Sequence, residues 1–139
     1  MKVAPKQIYD YLLSKGVSPI HALGMLANIR GESNFDAGVQ EVHPLGHGRG
    51  GYGLFQHTGA RRVALEDFCA ARGCDVWDWR AQVDYALAEH DTQRFLHKKF
   101  ANAAEATEWF VRYWERPANP DRDVDVRLAY LKVVESDVV

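Results

Sequence analysis

Cysteine is scarce in this sequence: the two present, Cys69 and Cys74, lie five apart around a predicted helix end at Gly73. So few and so close, they exclude a disulfide framework, and they are expected as free thiols packed like small hydrophobes. Long apolar runs are also missing, so no integral membrane segment is expected. The opening residues Met1 to Gln7 lack the apolar stretch of a signal peptide, which predicts synthesis in the cytosol. Neither sign of charge dominates, with 17 basic against 19 acidic residues and a net charge of -2. The footprint of a duplex nucleic-acid binder is therefore absent, and no nucleic-acid partner is expected. Repeats, low-complexity tracts and linkers are lacking as well. With 47% hydrophobic and 26% charged residues, the expectation is one domain, residues 1–139, around one core, as a monomer.

What is present is helical periodicity broken by one irregular stretch. Pro5 opens a short helix carrying Ile8, Leu12 and Leu13, which Gly16 closes. Ser18 before Pro19 is an N-cap signature for a second helix running to about Glu32 or Ser33. From Asn34 to Thr58 the periodicity vanishes, and six of the eleven glycines crowd between Gly38 and Gly53. Tyr52, Leu54 and Gln56 alternate with Gly53, Phe55 and His57 there, the pattern of a small hairpin. Long irregular stretches inside compact domains are usually functional. Beyond it, Thr58 is expected to cap a helix over 60–72 with Leu65 and Phe68 inward. Asp78 is expected to cap another with Val83, Ala86, Leu87 and His90 on one face. A short helix is expected around Phe95 to Phe100. Asn102 and Glu105 then start one bearing Ala106, Phe110 and Tyr113, which Pro117 stops. Asn119-Pro120 begins a last helix with Val124, Leu128 and Leu131 inward.

Glu32 is the anomaly. At about 100° per residue it projects within roughly 20° of Met25, on an apolar stripe with Ala22 and Ile29. Desolvation disfavours an ionised carboxylate, and the negative end of a helix dipole acts the same way. A glutamate becomes a general acid near neutral pH by that route.

Asn28-Ile29-Arg30-Gly31-Glu32-Ser33-Asn34-Phe35, followed by Gly51-Tyr52-Gly53-Leu54-Phe55-Gln56, resembles the lysozyme superfamily, closest to phage tail lysozymes and related endolysins. Trp109 to Pro117, with Pro120 and Arg127 beyond, extends the resemblance over nearly the whole chain. It implies an α+β, mostly α, lysozyme-like fold, with a helical lobe and a small glycine-rich loop or β-hairpin lobe flanking a cleft. The implied activity is that of a glycoside hydrolase, an endolysin-type muramidase. Its substrate would be the β-1,4 bond between N-acetylmuramic acid and N-acetylglucosamine in peptidoglycan glycan strands. Glu32 matches the family's general acid, and no cofactor or metal is implied. Such a protein would be made in the host cytoplasm and reach the cell wall by holin-type release, or travel with the virion.

The partner of Glu32 stays open at this level. Animal-type lysozymes carry an aspartate where this chain has Gly51. The phage-type spacing E-x8-D-x5-T is matched by Glu32, Glu41 and His47 with two substitutions, which makes Glu41 the favoured second carboxylate and His47 a substrate-binding candidate. Asp36 competes. A third version has no second carboxylate: lytic transglycosylases of this fold use one glutamate and yield 1,6-anhydromuramic products. A non-catalytic, peptidoglycan-binding virion component is the rival of another class. Tyr52 and Gln56 stand where the family lines its cleft, a ring for a pyranose face and an amide for acetamido groups. Gly53 between them is expected to admit sugar close to the backbone. The histidines His21, His43, His47 and His57 show no zinc-peptidase spacing. Trp109 and Trp114 read as core, and Glu115 with Arg116 as fixing the helix end before Pro117 through ion pairs or carbonyl contacts, each worth little where exposed.

Overall fold

Helix starts fall mostly where capping residues stand. The computed structural model describes residues 1–40 and 50–139, and among these the chain is mostly helical. Its helices are α1 (Pro5–Ser14), α2 (Pro19–Ser33), α3 (Ala60–Arg72), α4 (Trp79–Ala88), α5 (His90–His97), α6 (Ala103–Trp109) and α7 (Pro120–Asp137), with a π-helical turn at Phe110–Glu115 following α6. Ser18 Oγ accepts the His21 amide at 3.1 Å and caps α2 behind Pro19. Asp78 caps α4, and Asn102 and Asn119 cap α6 and α7 by the same chemistry.

The second helix is the axis of the core. Ala22, Met25, Leu26, Ala27 and Ile29 have no exposed surface, and α1, α6 and α7 pack around them. Instead of one apolar stripe, α2 is enclosed on nearly every side, as a helix apolar all round should be. Gly24 lets α6 come close: a Cβ there would stand 3.1 Å from the backbone of Ala106 and Thr107. The core continues through Phe95, Phe110, Leu131 and Val134. A smaller cluster gathers Tyr52, Leu65, Cys69 and Ala81.

Several expectations are corrected. Gly59 rather than Thr58 caps α3, with a φ of 59°, while Thr58 Oγ1 donates to the Gln56 carbonyl. Phe68 is half-buried against Tyr85. The fourth helix ends at Ala88 because Glu89 turns extended, so His90 begins α5 and is exposed. Most consequential is the turn after α6. The Arg116 amide bonds the Val111 carbonyl, five residues back, which is π rather than α spacing. Around this wide turn Trp114 is buried, as expected, while Tyr113, expected inward, is 47% exposed.

The β structure of the described residues consists of isolated bridges, including Gln40 with Tyr52 and Tyr52 with His57. The alternation expected after Gly51 does not run on into strands. Residues 53–56 are a turn in which Leu54 and Phe55 are both buried.

Candidate functional site

Asn34 and Phe35 both take left-handed backbone, with φ of 49° and 63°, and so terminate α2 immediately after Glu32 and Ser33. The chain then leaves the helix axis, and the Glu32 side chain is left at the wall of a cavity of about 230 Å³. Phe55, Gln56 and Thr58 from the turn, Arg61 from α3, and Trp114 and Glu115 from the π-helical turn complete its lining. A larger depression of about 410 Å³ lies between the end of α5 and α6, where Arg112 pairs with Glu108. The smaller cavity holds the unusual chemistry.

That chemistry is a carboxyl pair beneath one guanidinium. Arg127 of α7 donates from Nη2 to Glu32 Oε1 at 2.8 Å and from Nε to Asn28 Oδ1 at 3.2 Å. The same Nη2 is 3.5 Å from Glu115 Oε2. Gly31 makes room for this contact, since a Cβ there would overlap the Arg127 guanidinium. Burial pushes the Glu32 carboxyl above the ordinary carboxylate range, and Arg127 opposes it. Glu115, only 7% exposed, is pushed further up by burial and by the neighbouring charge of Glu32.

Opposite stands an arginine fastened to a carboxylate. Arg61 donates from Nε and Nη2 to both oxygens of Glu89, at 2.7 and 2.9 Å, and its guanidinium lies 3.8 Å over the Trp114 ring. Glu89 also accepts from His57 Nε2 at 2.9 Å. Burial holds His57 below its ordinary pKa despite that carboxylate, so it is neutral with its proton on Nε2. Burial would raise Glu89, but the hydrogen bonds from His57 and Arg61 outweigh it and hold the carboxyl down. Phe110 stacks on Trp114 at 4.7 Å. With Arg61 over its other face, Trp114 has no ring face left for a sugar and serves to orient Arg61.

The sequence candidates are placed unequally. Glu32 and Gln56 line the cavity. Both Gln56 amide hydrogens go to backbone carbonyls, of Gly53 at 2.9 Å and Val39 at 3.3 Å, so its donors fasten the turn. Tyr52 is 9% exposed and sits in the smaller core cluster beneath Arg62, away from the cavity lining. Gly53 admits Gln82 rather than a ligand: a Cβ would stand 2.6 Å from its side-chain oxygen. An aspartate at Gly51 would collide with the Gln56 carboxamide. Asp36 accepts the Met1 ammonium at 2.7 Å and the Gly38 amide at 3.0 Å. Glu41, His43 and His47 lie outside the described residues. Among the described residues no three histidine, cysteine or acidic side chains gather as a metal site, and no helix is long and apolar enough to cross a membrane.

Glu115, Glu89 and Arg61 were not legible as site residues. Glu115 is the clearest departure: expected to help fix a helix end, it is buried beside Glu32, while Arg116 does hold that end, donating to the Tyr113 carbonyl and pairing with Asp91. Its one sequence signal is a carboxylate directly after the core aromatic Trp114 and just before Pro117.

Glu32 thus sits in the last turn of the central helix and shares its cavity with the turn that follows Gly51 and Tyr52. A family model described as phage tail lysozyme matches residues 4–133. With all but the ends of the chain covered, this protein belongs to the phage tail lysozyme family.

Proposed function

We propose that the protein is a peptidoglycan muramidase in which Glu32 is the general acid. The observation that carries this reading is the Glu32 carboxyl itself, raised by burial at the wall of a cavity large enough for part of a sugar ring. Protonated Glu32 donates to the glycosidic oxygen, the bond to C1 breaks with its electron pair on that oxygen, and C1 becomes oxocarbenium-like. Arg127 then holds the carboxylate that Glu32 has become. Water adds at C1, and Glu41 is the proposed acceptor of its proton, with His47 and Gln56 at the glycan. Tyr52 would contribute by holding the turn. The protein would be made in the host cytoplasm and act on the wall after holin-type release or from the virion.

One observation favours a second reading. Among the described residues the carboxylates lining the cavity are Glu32 and Glu115, and both are engaged by one arginine nitrogen instead of facing each other across a sugar. A lytic transglycosylase needs only Glu32, with the substrate's own hydroxyl closing the 1,6-anhydro ring.

Mass spectrometry of fragments released from purified peptidoglycan separates the two: reducing muramic ends mean hydrolysis, 1,6-anhydro ends mean transglycosylation. Glu32→Gln is expected to fold normally and to release fragments at least about a hundredfold more slowly, the scale of general acid catalysis. Near-parental rates would remove Glu32 as the acid. Binding to the wall with no release by the parent protein would identify a glycan-gripping virion component instead.

A further inference from the structure

Glu115 stands out as a buried acid without a part in the steps proposed for Glu32 and Glu41. Among the described residues no hydrogen-bond donor reaches its buried Oε1, and the contact of its Oε2 with Arg127 is long, at 3.5 Å. An ionised carboxylate so placed would forfeit solvation with little in return. A protonated carboxyl needs no donor at Oε1, because its own O–H supplies the hydrogen bond, and Glu32 is the acceptor beside it.

We infer that Glu32 and Glu115 hold one proton between them beneath Arg127, and that Glu115 is a positioning residue that stores the proton Glu32 must deliver. This rests on the reading of Glu32 as the acid. Charge counting supports it: two carboxylates against one guanidinium leave an excess negative charge in a largely buried site, and one added proton cancels it. The surrounding charges agree. Asp123 of α7 adds negative potential at both carboxyls. On the α3 side Arg61 is neutralised by Glu89, and His57 behind them is uncharged. From α2 the further neighbour is the neutral Asn28, which accepts from Arg127.

The resting proton belongs on Glu115, the more buried acid and the one farther from Arg127. When a glycan displaces water from Glu32, the O–H bond on Glu115 breaks and one forms on Glu32. The carboxylate left on Glu115 is then held by Arg127. After Glu32 has protonated the leaving oxygen, either carboxylate can take up the next proton from solvent. A coupled pair of this kind titrates in two steps that belong to both groups, so the one-proton form persists to higher pH than an isolated Glu32 paired with Arg127 would allow.

The experiment is the pH–rate profile of fragment release from purified peptidoglycan by the parent, Glu115→Gln and Glu115→Asp. Glu115→Gln is expected to keep its rate at the acidic end, while its alkaline limb moves toward acid by about one pH unit or more, a loss of about tenfold above the midpoint. Glu115→Asp should restore part of the limb. A uniform drop in rate with the limb unmoved, or no change at all, overturns the inference. Should Glu115→Gln fail to fold, carboxyl carbon NMR of the glutamate-labelled parent decides: one un-ionised glutamate carboxyl at pH 7 supports the shared proton, and full ionisation overturns it. The underlying reading fails separately, through an active Glu32→Gln.

Discussion

Glycine at position 31 looks like a weak point in a helix, since glycine costs about 1 kcal/mol there relative to alanine. Its place is explained by what lies over it. The Arg127 guanidinium occupies the space a side chain would need, and from there reaches Asn28 and Glu32. Arg127 has a flexible stem, so Gly31→Ala would leave the backbone alone and displace the guanidinium. What is lost is a pair of charge-assisted hydrogen bonds, worth about 1.5–3 kcal/mol each when a charged group is involved, against roughly 1 kcal/mol of helix propensity gained. Gly31→Ala is therefore expected to lower stability by about 2–5 kcal/mol, read from urea midpoints, and to shift the pH optimum of fragment release. An unchanged midpoint together with an unchanged optimum would mean that Arg127 matters to neither. Gly51→Asp is the complementary case. Restoring the carboxylate of animal-type lysozymes should bring no gain in rate, because Gln56 fills that space and its amide fastens the turn.

At the scale of elements, what was legible and what was not divides by range. Helix α2 was legible from end to end because its signals are local: Ser18 and Pro19 at the start, and a break in periodicity after Ser33. Glu32 was legible with it, although for a partly mistaken reason, since α2 is enclosed rather than striped. The π-helical turn was not legible, because an extra residue in a helical turn leaves the apolar spacing nearly intact: Trp114 is buried as expected, and Tyr113 alone departs by being exposed. The same turn carries the buried Glu115. Its neighbour Arg127 lies far along the chain, as the separation of 95 residues between Arg127 and Glu32 illustrates. Close approach of α2 and α6 was equally invisible, and it carries its own prediction. Gly24→Val would press a branched side chain into the backbone of α6 at Ala106 and Thr107. A loss of about 1–3 kcal/mol from overpacking is expected, measured by thermal or urea unfolding. A neutral result would show that α6 can retreat without cost.

For the molecule as a whole, two buried acids with opposite shifts shape stability against pH. Glu89 is held below the usual carboxylate range by His57 and Arg61 after burial has pushed the other way. Its contribution is therefore present above the unfolded value of about 4.3 and is lost as pH falls through the folded value. Glu115 is raised by burial and by Glu32. In the window between its unfolded and folded values the native state binds more protons than the unfolded chain, so its contribution is complete below about pH 4.3 and disappears as pH rises through the folded value. Together they predict a stability maximum on the weakly acidic side of neutrality, with an acid arm governed by Glu89 and an alkaline arm governed by Glu115 and Glu32. Replacing either acid should flatten its own arm and keep the slope of the other. Glu115→Gln is expected to flatten the decline of melting temperature above about pH 5 while leaving the acid arm intact, since Glu89 lies on the other wall of the cavity. Glu89→Gln should flatten the acid arm, and it should also lower the whole curve because Arg61 loses its bidentate acceptor. Melting curves recorded by circular dichroism from pH 3 to 9 provide the check. Parallel curves for the parent and Glu115→Gln across the alkaline arm would show that Glu115 enters the native state already ionised, and the charge balance drawn for the site would have to be abandoned.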